Sequence, residues 1–160
     1  IIDSLVMNTP PVGLDPTVRS GSAMAGEVEL SPDSARVLLS GAGGASQWTA
    51  STTSPWLALT NATGTGTGVL RWTRNPTGLG LGTYVDTINV ESTNGGQARL
   101  IDIFTLTEPF VPANCVVQHL LGAPCLAELQ LRFLDIEGND DGVFNLGDFL
   151  AQLAREGGGS

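Results

Sequence analysis

The sequence predicts a mainly β protein: a β-sandwich followed by a small C-terminal helix–loop–helix module. Three observations carry this reading. Charged residues are only 14% of the 160, against roughly 25% in an average globular domain. Glycine is frequent, with 21 residues, while hydrophobic residues reach 41%, enough for a real core. The spacing of apolar residues is short and strand-like up to Thr107, then turns helical.

The elements follow in order. Residues 1–8 (IIDSLVMN) are apolar enough for a strand, which Pro10 and Pro11 stop. Seven further strands are predicted at Glu27–Leu30, Ala35–Leu39, Gln47–Ser51, Trp56–Leu59, Val69–Arg74, Tyr84–Glu91 and Ala98–Thr107, a sandwich-like spacing. Gly41–Gly44, Gly64–Gly68 and Gly78–Gly82 read as turns, because they lack the strand-to-helix setting of a phosphate loop. Alternation puts Leu70 with Trp72, and Tyr84 with Ile88 and Val90, on core faces, and all three Trp read as core. Glu108–Asn114 (EPFVPAN) is a stiff linker. Val116–Leu121 reads as a helical turn, Pro124–Leu134 as a helix with Leu126, Leu129 and Phe133 on its apolar side, and Leu146–Arg155 as a second with Phe149, Leu150 and Leu153. The expected division is a strand and linker over 1–12, a sandwich over 13–108 and a helical module over 109–160.

Charge narrows the function. Sixteen acids against seven Arg and no Lys give net −9. No basic face exists for nucleic acid, an anionic membrane surface would repel the chain, and no apolar run is long enough for membrane insertion. The single His119 excludes a His-rich zinc site and leaves one candidate base. No acid, base and nucleophile set emerges, so the expectation is no enzyme and no catalytic residues. Asp86 and Asp102 lie within strands and read as structural rather than as a carboxylate pair.

The acids concentrate near the end: residues 135–148 hold five and no basic residue. This segment fits the EF-hand calcium-loop template. With Gly142 at loop position 6, Glu137, Asn139 and Asp141 occupy positions 1, 3 and 5. Val143 supplies a backbone carbonyl at position 7, Asn145 is position 9 and Asp148 position 12, while Phe144 anchors the loop to a core. Asp135 replaces Glu137 as first ligand if the loop is two residues wider. The alternation of oxygen side chains in a tight turn suits a hard cation, and Ca²⁺ is the expected cofactor. Cys115 and Cys125, ten positions apart, are expected to form a disulfide stapling the linker to the first helix of this module. The alternative is two buried thiols. An even cysteine count, no Lys and a calcium loop favour an oxidising, extracellular or cell-surface location.

The run Gln47-Trp48-Thr49-Ala50-Ser51, Ser54-Pro55-Trp56-Leu57-Ala58-Leu59, Gly64-Thr65-Gly66-Thr67-Gly68, Leu70-Arg71-Trp72 and Gly82-Thr83-Tyr84-Val85-Asp86-Thr87-Ile88-Asn89-Val90 resembles the bacterial BACON-like domains. The resemblance implies an Ig-like β-sandwich over roughly 13–108. Gly138-Asn139, Gly142 and Asn145-Leu146-Gly147-Asp148 are similar to dockerin-like or EF-hand-like modules that follow such domains in secreted bacterial proteins. Together they imply an extracellular, non-catalytic protein. Carbohydrate binding is associated with BACON-like domains, but no residue motif for it transfers to this chain.

One internal repeat is more informative. Residues 1–10 (IIDSLVMNTP) match residues 100–109 (LIDIFTLTEP): Ile2-Asp3 aligns with Ile101-Asp102, Leu5 with Phe104, Met7 with Leu106 and Pro10 with Pro109. The first segment is a second copy of the sandwich's last strand. Either it ends a preceding Ig-like repeat, or it pairs with a second subunit by strand addition. The missing Met start fits a processed chain and the second alternative. Ile2, Leu5 and Met7 are then the assembly strand of a head-to-tail homopolymer, since a heterologous contact gives an open filament. The alternative is a carbohydrate-binding or cohesin-docking module of a larger exported enzyme or adhesin.

Overall fold

The computed structural model describes residues 12–28, 30–39 and 46–157. The N-terminal strand predicted at 1–8, with Ile2, Leu5 and Met7, and the turn predicted at Gly41–Gly44 lie outside them. Nine strands are present among the described residues: β1 (Val12–Asp15), β2 (Val18–Met24), β3 (Asp33–Leu39), β4 (Gln47–Ser51), β5 (Leu57–Asn61), β6 (Thr63–Thr65), β7 (Gly68–Arg74), β8 (Gly82–Ser92) and β9 (Gln97–Thr107). They form a four-stranded sheet in the order β1-β3-β7-β5 and a five-stranded sheet in the order β2-β9-β8-β4-β6. Pairing is antiparallel, with Ala35 opposite Leu70 between β3 and β7, and Ala50 opposite Val90 between β4 and β8.

Two local expectations fail. No strand covers Glu27 and Val28: the chain turns there, with Glu27 N–H donating to the Met24 carbonyl (3.1 Å) and Gly26 at φ 93°, a conformation that favours glycine. The preceding residues form the strands instead. Val18–Met24 (VRSGSAM) is an edge strand with one buried residue, so it carries almost no apolar alternation. Gly64 is also part of a strand rather than a turn. The Trp48 indole lies against it, and a Cβ there would come within 2.5 Å of the ring; Gly68 is nearly as close.

Chain contacts divide the protein into two compact units. Among the described residues the first comprises 12–21, 30–39, 46–75 and 83–105. Its core is formed by the inward alternates of both sheets: Val37, Leu70, Trp72, Ile88, Val90, Leu100 and Phe104 are fully buried. Trp48 and Trp56 are buried too, and the Trp56 ring stacks on Phe104 at 5.8 Å between centroids. Among these apolar groups lies a carboxylate. Asp102, on β9 and 0% exposed, accepts from Arg74 Nε (2.7 Å), from Arg74 Nη2, and from Trp72 Nε1 (3.2 Å) on β7 of the other sheet. Arg74 Nη2 also donates to Asp33 Oδ2 (2.9 Å), and Arg19 Nε stands 3.4 Å from Asp33 Oδ1. Burial pushes the Arg74 guanidinium down, but the two carboxylates outweigh it and raise it above its ordinary value. Gly21 leaves room for this side chain; a Cβ there would lie 2.6 Å from Arg74 Nη1.

Asp86 is the other buried acid of this unit. It accepts from the Thr52 hydroxyl, from Thr87 N–H (2.7 Å) and from Ser54 N–H (3.3 Å). Burial alone would raise its carboxyl, but these hydrogen bonds win and hold it below its ordinary value.

Among the described residues the second unit gathers 22–28, 76–82 and 106–157, so three chain segments build it rather than the C-terminal stretch alone. Its helices are α1 (Ala113–Leu120), α2 (Glu128–Glu137) and α3 (Leu146–Gly157). α2 begins four residues later than Pro124 suggests. Gln130 Oε1 accepts from Ala127 N–H (2.8 Å), satisfying a donor at the helix start as half of a capping box. Val116, Leu126, Phe133, Leu134 and Phe144 form the core, with Ala25, Leu131 and Phe149 against it. Leu150 and Leu153, expected on the apolar side of α3, are about half exposed. Cys115 and Cys125 form the expected disulfide. No helix among the described residues is long and apolar enough to cross a membrane.

Gly64→Ala is expected to lower stability by about 1–3 kcal/mol, because the Trp48 indole must move, and urea denaturation measures it. Asp86 has a lowered folded pKa, so its contribution is complete above the unfolded value of about 3.9 and is lost as pH falls through the lower folded value. Melting scans from pH 6 to pH 2 should therefore show a smaller loss of stability in Asp86→Asn than in the parent.

Candidate metal centre

The loop between α2 and α3 is shaped by its own side chains. Asp135, in the last turn of α2, is buried and accepts from Gly142 N–H through both carboxylate oxygens (3.2 Å each). Its backbone carbonyl accepts from Gly138 N–H and Asp140 N–H (2.9 Å each). Gly142 has φ 95° and Asp140 has φ 55°, so the loop turns twice through the left-handed region; Asp tolerates that region better than most residues.

Asp148 closes the loop from the other side. It is fully buried in the first turn of α3 and accepts from Asn139 N–H (2.9 Å) and Asn145 N–H (2.7 Å). Gly138 lies against it: a Cβ on Gly138 would sit 2.3 Å from the Asp148 side chain. Asn145 caps α3, with Oδ1 accepting from Gly147 N–H (2.6 Å). Its Nδ2 donates to the Val143 carbonyl (2.9 Å). Asp141 accepts from Val143 N–H (3.1 Å) and from Asn139 Nδ2 (3.1 Å).

The result is a convergence of charge. One carboxylate oxygen each from Asp135, Asp141 and Asp148 lie within 4.8 Å of one another, two of the three acids being buried. Such a group could hold a metal ion. Glu137 is turned away: its Oε2 stands 3.6 Å from Arg155 Nη1. Between the two first ligands the sequence left open, the fold thus brings Asp135 to the group. Asn139 and Val143, expected at positions 3 and 7, hydrogen-bond to Asp141, and Asn145, expected at position 9, hydrogen-bonds to Asp148.

His119 lies on α1 with its ring 6.1 Å from Phe144, and its Nδ1 is buried without a partner among the described residues. It shares a hollow of about 320 Å³ with Glu128, Arg132 and Asp135. Sequence reasoning missed the Asp102–Arg74–Asp33 series in the first unit. The signal was present: Trp72 and Arg74, and Asp102 between Leu100 and Phe104, fall on inward alternates of their strands.

No family model matches the chain, and no curated protein matches it. Solved structures share the fold. A PapD-like domain of human CEP192 has a TM-score of 0.55 at 14% identity, covering 69% of this chain and 95% of that one. A Bacteroides ovatus GH5 xyloglucanase is more distant, with a TM-score of 0.47 at 17% identity over 64% of this chain and 19% of that one. The periplasmic chaperone SfaE has a TM-score of 0.42 at 11% identity, over 66% and 62% of the two chains. The CEP192 likeness supports an Ig-like, PapD-like sandwich and carries the fold alone.

Divalent cations titrated into EDTA-treated protein are expected to raise its melting temperature, by about 2.7 kcal/mol of stability at a hundredfold excess over Kd. Asp141→Asn should leave the metal-free stability within about 0.5 kcal/mol, since Asp141 is exposed, and should remove most of the metal-induced rise.

Proposed function

We propose that this protein is a non-catalytic structural module of an extracellular assembly, joined to a neighbouring sandwich by β-strand addition of residues 1–8 and stiffened by calcium. The observation that carries the reading is the repeat. β9 runs between β2 and β8 in the interior of its sheet, and residues 1–8 resemble its residues 100–107, with Ile2-Asp3 identical to Ile101-Asp102 and apolar residues paired at positions 1, 5 and 7. A strand with that apolar face needs a sheet to complete it. Where the neighbour is another copy, the contact is heterologous and the product is a head-to-tail filament.

The donor set around Asp135, Asp141 and Asp148 consists of carboxylate, amide and carbonyl oxygens, which favours Ca²⁺ over softer metals. On this reading the second unit is an EF-hand-like or dockerin-like module and the sandwich a BACON-like domain. The disulfide supports an oxidising, non-cytoplasmic location.

A second reading has one observation in its favour. Leu146, Leu150 and Leu153 lie at helical spacing on α3 and are about half exposed. That stripe suits a docking module for a cohesin-like protein better than it suits carbohydrate.

Negative-stain electron microscopy of the chain in calcium, beside a version lacking residues 1–8 and a Leu5→Ser/Met7→Ser variant, tests the first reading. Filaments are expected from the intact chain only. Dispersed particles in all three would remove the homopolymer and favour the docking module.

A further inference from the structure

We propose that the exposed face of α3 is a dimer interface, and that its occupant is the same face of a second copy of this chain, packed antiparallel. The inference rests neither on the strand-donor reading of residues 1–8 nor on calcium. α3 has two sides. Phe149 packs against the core of the second unit, and Asp148 is fully buried. Leu146, Leu150 and Leu153 belong to the other side and are 59%, 54% and 48% exposed. Their spacing of four and three residues puts them in one stripe along the helix. Val143, 67% exposed, precedes Leu146 by three residues, and Gly147 and Ala154 border the stripe and are exposed too. A single exposed leucine is ordinary, whereas three in one stripe mark an interaction surface.

Charge selects the occupant. The described residues of the second unit carry nine acids and two Arg, and the face formed by Leu146, Gly147, Leu150, Leu153 and Ala154 carries none of them. Two chains of net −9 repel each other over most of their surface, and this face lets them meet without like charges in contact. A charged partner finds nothing on it to pair with. Orientation follows from the acidic loop at the start of α3, where Asp135, Asp141 and Asp148 converge. Parallel helices would bring two such loops together. Antiparallel helices hold them at opposite ends, about 18 Å apart for a helix of 12 residues. With Leu150 near the twofold axis, Leu146 of each copy meets Leu153 of the other. Gly147 and Ala154 line the opposite edge, with no long side chain to hold the helices apart. One helix face is smaller than the roughly 800 Å² per partner of a stable complex, so the pairing is weak and concentration-dependent.

Crosslinking of the full chain tests this, read on a denaturing gel so that strand addition does not register. Cys115 and Cys125 are joined to each other, which leaves an introduced thiol to react alone. Leu150→Cys treated with a short bismaleimide is expected to give covalent dimer more than about tenfold faster than Val85→Cys, a comparably exposed position on β8. A mixture of Leu146→Cys and Leu153→Cys chains should link to each other faster than either links to itself, and any other order would overturn the antiparallel dimer. Sedimentation velocity should show a monomer–dimer equilibrium in the parent. Leu150→Glu, which sets two carboxylates face to face, should weaken it by more than about tenfold. The Tm of dilute Leu150→Glu should match that of the dilute parent, because the side chain is exposed in the monomer. Equal crosslinking at positions 150 and 85 would overturn the proposal. A parent without dimers at any concentration would overturn it too, and would leave the face to a different protein. Filaments without crosslinks at position 150 would remove only this inference. Crosslinks at position 150 without filaments would remove only the homopolymer.

Discussion

A buried ion pair crosses the sandwich, and much of the first unit is arranged around it. Asp102 stands on the last strand, fully buried, and Arg74 stands on a strand of the opposite sheet, also buried. Burying both charges is costly, and their attraction offsets the cost only with good geometry and with every remaining hydrogen-bonding position used. The pair has such support here: Trp72 donates to the same Asp102 oxygen as Arg74 Nη2, Asp33 accepts from that Nη2 as well, and Gly21 leaves space for the guanidinium. Such a pair need not add stability over a well-packed apolar pair. It does penalise every register in which β9 slips by one residue, because the carboxylate would then leave its arginine.

The second unit plays a different part. Its disulfide and small core hold α2 and α3 so that three aspartates meet, a repulsive arrangement that a cation would relieve. Proposed assembly and proposed calcium binding rest on different residues and can be tested separately.

Much of this was legible in the sequence, for physical reasons. Strands with regular apolar alternation, such as those around Trp72, Ile88 and Phe104, were found because one face of each is buried. β2 was missed because it lies at a sheet edge and needs little apolar surface. β6 was read as a turn because its glycine is there to admit the Trp48 ring, a long-range cause with no local trace. The acidic loop stood out from its spacing, but which of its carboxylates come together needed the fold: the end of α2 brings Asp135 to Asp141 and Asp148 and leaves Glu137 beside Arg155.

The account depends most on the coupling between Arg74 and Asp102, which a double-mutant cycle with Arg74→Met and Asp102→Leu measures by urea denaturation. Arg74→Met leaves the buried Asp102 carboxylate without its arginine and should cost about 3–5 kcal/mol, Asp102→Leu leaves Arg74 with Asp33 alone and should cost less, and the double variant should lie well above the sum of the two losses, a coupling of more than about 2 kcal/mol. Additive losses in the double variant would contradict the account, because the carboxylate on the last strand would then have no need of its arginine.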